Sequence, residues 1–192
     1  MKVVTVVAKR RLTKLADFLA GLPDKRFDLN KWGYTPNIDS EEFHPEEGPV
    51  DFNEVTHKCG TTACAMGWAA SMPEFRKEGL RLEVRSSTSW LDGEDIGAWS
   101  INYYKRDRVN GGRDLNSEGF EAAARFMHIT HSQSEYLFGP DSYYEDAMDR
   151  KNVIKRIRDF VRYDGRNYLR YLKDHYLDDE ELGIYQDGVN FE

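Results

Sequence analysis

The chain has 192 residues, 40% of them hydrophobic and 13% aromatic, and a formal charge of -7 at pH 7. That is the length of one domain with enough apolar mass for a core, which excludes a chain disordered throughout. The acidic balance excludes bulk attraction to nucleic acid or anionic membrane, so only a local basic face can serve either role.

At the N-terminus, Val3 to Val7 reads as a short strand. It is too brief, with Lys9, Arg10 and Arg11 close behind, for a signal peptide or a membrane span, so a cytoplasmic protein without membrane association is expected. From Arg11, the residues Leu12, Leu15, Ala16, Phe18, Leu19 and Leu22 fall at helical spacing, and Gly21 and Pro23 end the run. Residues 24–56 carry no sustained period and hold Asp39, Glu41, Glu42, Glu46, Glu47, Asp51 and Glu54, a long acidic loop pinned by aromatic residues such as Phe27, Trp32 and Phe52.

Thr61 or Thr62 then suits the N-cap of a helix running through Met72, with Pro73 as its stop. Its residues are apolar nearly all round, the pattern of a buried central helix. Leu80, Leu82 and Val84 alternate with Arg81, Glu83 and Arg85, and Ala98 to Tyr104 offers a second strand, so residues 79–113 read as a small antiparallel sheet or hairpin inserted in the chain. Phe120 to Ile129 is a helix, and Thr130 or Ser132 caps another through Phe138, closed by Gly139-Pro140. Between Asp146 and Tyr163, Val153, Ile154, Ile157, Phe160 and Val161 share one face while Arg150, Lys151, Lys155, Arg156, Arg158 and Arg162 lie mostly on the other. Tyr168, Leu169 and Leu172 suggest one more helix in a C-terminal extension, 164–192.

These elements predict a single α+β domain, predominantly α-helical. A buried central helix is ringed by helices at 11–22, 118–138 and 146–163, and a small antiparallel sheet decorates it.

The run His57-Lys58-Cys59-Gly60-Thr61-Thr62-Ala63-Cys64-Ala65-Met66-Gly67-Trp68 holds both cysteines. Together with Ala123-Ala124-Arg125-Phe126-Met127-His128-Ile129-Thr130 and the later Leu137-Phe138, it resembles an uncharacterised family of bacterial and bacteriophage proteins with a Cys-Gly-Thr-x-x-Cys-x-x-Gly-Trp core. The resemblance implies a phage or mobile-element accessory protein and carries over no catalytic residue.

The run supports several chemistries. As packing, Ala63, Gly67 and Ser71 form a small-residue ridge beside Trp68, with Cys64 as a buried thiol, and this reading is preferred. As a metal site, His57, Cys59 and Cys64 are ligands zinc accepts, with His44 or His131 to complete four, although the Cys-x4-Cys spacing is wide and no second pair exists. As a catalytic site, Cys59 before a helix N-terminus is a candidate nucleophile, with His57 adjacent in sequence but badly placed as its base. A disulfide between the two cysteines is a further alternative, disfavoured in a reducing compartment.

His128-Ile129-Thr130 looks like half of a two-histidine phosphoesterase signature whose other half is missing. The helix pair 120–138 has the outline of a DNA-reading helix-turn-helix, with Ser132, Gln133, Ser134 and Glu135 as reading residues and no Lys or Arg among them. The basic helix is the better macromolecular surface: Arg150, Lys155, Arg156, Arg158, Arg162 and Arg166 are the partner-binding candidates, with Tyr103, Tyr104, Lys105, Arg106 and Arg108 as a second basic cluster. The expectation is thus a non-enzymatic protein that engages a protein partner through separated acidic and basic faces and needs no cofactor. A thiol or zinc enzyme centred on Cys59 and a nucleic-acid binder using the basic helix are the alternatives.

Overall fold

A computed structural model describes residues 4–34, 50–52, 61–88, 95–106, 113–144 and 147–175. The first helix, α1, spans Val6–Ala20, so Val6 and Val7, expected in a strand, are helical instead, Val4 precedes the helix, and Val3 lies outside the described residues. The reason is local: the Thr5 hydroxyl accepts a hydrogen bond from the Ala8 amide at 3.1 Å, an N-cap that starts the helix before its apolar period becomes visible. Ala8, Leu12, Leu15, Ala16 and Leu19 form its buried face.

The central helix α2 is shorter than its composition suggested, covering Ala65–Ala69, and every one of its residues is buried. Thr61 and Thr62 do not cap it. Thr62 exchanges two backbone hydrogen bonds with Tyr34, at 2.8 and 3.0 Å. The Ala63 amide donates to the Arg26 carbonyl at 3.3 Å and the Cys64 amide to the Lys31 carbonyl at 2.7 Å. Amides already satisfied by an extended neighbour have no need of a helical cap. Pro73, expected as a stop, instead opens a second short helix, α3 (Pro73–Lys77), at a first-turn position where its missing N–H costs nothing.

Four antiparallel strands follow one another in a single sheet: β1 (Val50–Asp51), β2 (Leu80–Thr88), β3 (Asp95–Arg106) and β4 (Arg113–Glu118). β2 and β3 pair continuously from Leu80 opposite Tyr103 to Thr88 opposite Asp95. The sheet does more than decorate the helices, because its inward residues Leu80, Leu82 and Ile101 have no exposed surface and belong to the one core cluster. Tyr103 and Phe75 both meet the Phe126 ring edge-on, at 5.6 and 5.0 Å.

Helices α4 (Gly119–Met127) and α5 (His131–Phe138) pack as a corner. α4 ends on His128 at φ 58°, and α5 begins with a capping box in which Thr130 and Gln133 satisfy each other's amides. α6 (Arg150–Arg162) starts on the Asp149 cap and packs against α1, and α7 (Arg166–His175) completes the described chain. Tyr168 and Leu172 of α7 are buried in the common core, so this part of the expected extension is integral to the fold. The architecture is α+β and mostly helical, and no helix among the described residues is long and apolar enough to cross a membrane.

Candidate functional site

His57 and Cys59, the thiol-catalysis candidates and two of the three proposed zinc ligands, lie outside the described residues, as do His44 and most of the acidic loop. Cys64 is 2% exposed and reduced. Burial pushes its thiol up to about 11 against the pull of nearby backbone amides, so it is protonated at neutral pH. Zinc binding at Cys64 would have to displace that proton. Among the described residues no group of three or more His, Cys, Asp or Glu side chains is arranged to hold a metal ion.

What surrounds Cys64 is tight packing. Gly67 lies so close to the Trp32 carbonyl that an added Cβ would sit 1.9 Å from that oxygen. Trp68 donates its indole N–H to the Arg26 carbonyl at 2.8 Å, and the Arg26 guanidinium covers its ring at 4.6 Å. The small-residue ridge therefore receives the backbone of the preceding loop, and Cys64, Gly67 and Trp68 are the core residues of that junction.

The partner-binding candidates divide into two groups. Arg150 is turned inward: its guanidinium donates to the Leu19 and Ala20 carbonyls at 2.7 and 3.1 Å and pairs with Asp24 at 2.6 Å. It caps the C-terminus of α1 and holds the Asp24 carboxyl below its ordinary range. Arg156 donates to the Tyr136 and Ser142 carbonyls, each at 2.8 Å, and lies 3.4 Å above the Tyr143 ring. Both are structural, contrary to the expectation that they face a partner: a long side chain at the edge of an apolar face can reach back to the carbonyls at the end of a neighbouring helix or turn.

Lys155, Arg158, Arg162 and Arg166 are exposed, and Lys151 joins them. On α6 the four positions 151, 155, 158 and 162 follow one solvent-facing stripe. Lys155 pairs with Asp159 at 2.9 Å and Arg158 with Asp17 at 3.1 Å, both open to solvent and weakly held. The stripe borders a shallow groove of about 690 Å³ beside Ala20 and Ile154. The first turn of α6 carries no acidic residue, so Lys151 adds its charge to the positive end of the helix dipole.

The other macromolecular surfaces lose their side chains to the fold. Gln133 is 3% exposed and Ser134 fully buried, so a DNA-reading role for α5 would have to do without half of its reading residues. Tyr103 points into the core, and the Tyr104 hydroxyl donates to Glu83 at 2.6 Å, which takes both rings out of the second basic cluster. Lys105 and Arg106 belong to β3, and Arg108 lies outside the described residues. His128 sits beside Arg11 and Glu78, and burial followed by the Arg11 charge lowers its pKa.

Sequence reading misses one feature entirely. A cavity of about 480 Å³ opens between α5 and α7, walled by Tyr136, Tyr168 and Tyr171. The only hint in the sequence is the Tyr-x-x-Tyr spacing at 168 and 171, which by itself reads as helix packing. No protein-family model matches this chain, and no curated protein or solved structure matches it either.

Proposed function

We propose that this chain is a non-enzymatic accessory protein of the cytoplasm that binds an acidic protein partner through the outward face of α6. The observation that carries the reading is the stripe of Lys151, Lys155, Arg158 and Arg162, continued by Arg166 on α7, on a chain whose overall charge is -7. A cationic stripe of this kind accelerates encounter and selects partners more than it adds affinity. The resemblance of the Cys-Gly-Thr-x-x-Cys-x-x-Gly-Trp run to phage and bacterial proteins favours a phage-associated setting. The role requires no metal and no reactive thiol.

The test uses purified protein, a poly-glutamate chain and duplex DNA at several salt concentrations. Binding to poly-glutamate that weakens with salt, and that falls roughly tenfold or more when Lys151→Glu and Arg162→Glu are combined, is the expected result. Both positions are exposed, so folding is retained. Tighter binding to duplex DNA, with a steep salt slope, would move the function to nucleic acid. No binding to either polyanion at low salt removes the proposal.

A further inference from the structure

Building on the acidic partner proposed above, we infer that what lies on the α6 stripe is an α-helix of that partner, with carboxylates repeating at intervals of four, three and four residues. The exposed cations Lys151, Lys155, Arg158 and Arg162 stand on one uninterrupted helix, α6. At 1.5 Å per residue they extend over about 16 Å, in three steps averaging about 5.5 Å. A helix lying nearly along α6 with acidic residues at i, i+4, i+7 and i+11 repeats the same rise, so each cation meets one carboxylate. An extended segment returns a side chain to one face only every two residues, about 6.7 Å, and is out of step by roughly 3.5 Å at the fourth cation.

The surface beside the stripe has the relief that a helix needs. The shallow groove there is walled by Ala20 at the end of α1 and Ile154 of α6. Ala20 offers only a methyl group, and the Arg150 side chain is drawn down onto the α1 carbonyls and Asp24 until it is 13% exposed, so neither stands in the way of an approaching cylinder. Asp159, which also lines the groove, is tied to Lys155 of its own helix. The fold already makes the proposed contact once, because Asp17 of α1 pairs with Arg158 of α6 at 3.1 Å, a carboxylate of one helix on a cation of the helix packed beside it. Lys151 and Arg162, at the two ends of the stripe, have no ion-pair partner among the described residues, and Arg162 rests against the exposed Tyr163 ring at 5.4 Å. Charge on the stripe is thus held by weak, solvent-exposed contacts that a row of partner carboxylates can replace.

The probes are three labelled peptides of about 18 residues, long enough for an alanine-rich chain to be helical, titrated into the full chain at low salt by fluorescence anisotropy. Each contains alanine, glutamine and four glutamates. One carries the glutamates at the four-three-four spacing, the second has the same composition with the glutamates spread around the helix, and the third is the striped peptide with a central proline. The striped peptide should bind about tenfold more tightly than either of the others, since all three carry the same charge. Lys155→Glu should weaken it roughly tenfold, whereas Arg125→Glu, the same change of net charge at an exposed position on α4 outside the groove wall, should leave it within about twofold. Equal affinity for the striped and spread peptides, a proline peptide that binds as well as the striped one, failure of all three to bind, or equal losses in the two variants would overturn the inference. If poly-glutamate still binds in any of those cases, the acidic partner stands and only its helical form is lost; if poly-glutamate does not bind, both readings fall.

Discussion

Gly67 shows how one residue can be fixed by a neighbour that is distant in sequence. In a helix interior, alanine is better than glycine by about 1 kcal/mol, so propensity alone recommends Gly67→Ala. The structure reverses the sign, because the new methyl would overlap the Trp32 carbonyl, and that loop is held by the Cys64–Lys31 backbone hydrogen bond and by Trp32 against Phe120 at 4.8 Å. Gly67→Ala is expected to destabilise the protein by roughly 2–3 kcal/mol, read as a lowered urea midpoint. Gly21→Ala is the control. Its Cβ would meet nothing nearer than 3.5 Å and its φ of -84° suits any residue, so its midpoint should hold or rise slightly. The sequence shows the ridge of Ala63, Gly67 and Ser71, and so the need for close approach, but not that the approaching group is a carbonyl from residue 32.

At the scale of an element, α6 carries two kinds of cation on what the sequence presents as one basic face. Arg156→Ala takes the guanidinium from the Ser142 carbonyl, leaves the Tyr136 carbonyl with the Ser142 hydroxyl alone and uncovers the Tyr143 ring, and should cost about 2 kcal/mol. Arg158→Ala removes an exposed pair with Asp17 and should change stability by no more than about 0.5 kcal/mol. Equal urea midpoints for the two variants would contradict this division. Periodicity separates the apolar face of α6 from its charged face, yet it cannot show which guanidinium at the boundary finds a carbonyl within reach. That depends on where α5 and the turn at Ser142 lie in space.

For the whole molecule, the buried acids make the fold sensitive to alkali. Cys64, Tyr136 and Tyr143 all have their pKa values raised, in each case chiefly by burial, so the folded state holds their protons more tightly than the unfolded chain does. The stability they supply is complete below the unfolded thiol value near 9.0 and declines as pH rises toward about 11, with the two tyrosines adding to the loss above pH 10. Cys64 alone accounts for roughly 2–3 kcal/mol between those limits. Urea midpoints at pH 8 and pH 10.5 should therefore fall for the natural protein, and fall less for Cys64→Ala. A decline of the same size in both would remove Cys64 as its source. In the native state at pH 8 the thiol should also resist an alkylating reagent that labels it at once in urea.

The sequence by itself determined what depends on local pattern. The apolar period of α1 and α6 and the alternation from Leu80 to Val84 each specify an element because 3.6-residue and two-residue repeats place side chains on faces wherever the element ends up. The all-apolar run after Cys64 likewise required a buried helix. Only the tertiary structure decided the rest. Thr62 and Ala63 pair with Tyr34 and Phe27 instead of capping α2, Arg150 closes the end of α1, and tyrosines more than 30 residues apart converge on one cavity. Hydrogen bonds, ring contacts and cavity walls of this kind join positions far apart in the chain, and they exist only once the backbone has brought those positions within a few ångströms.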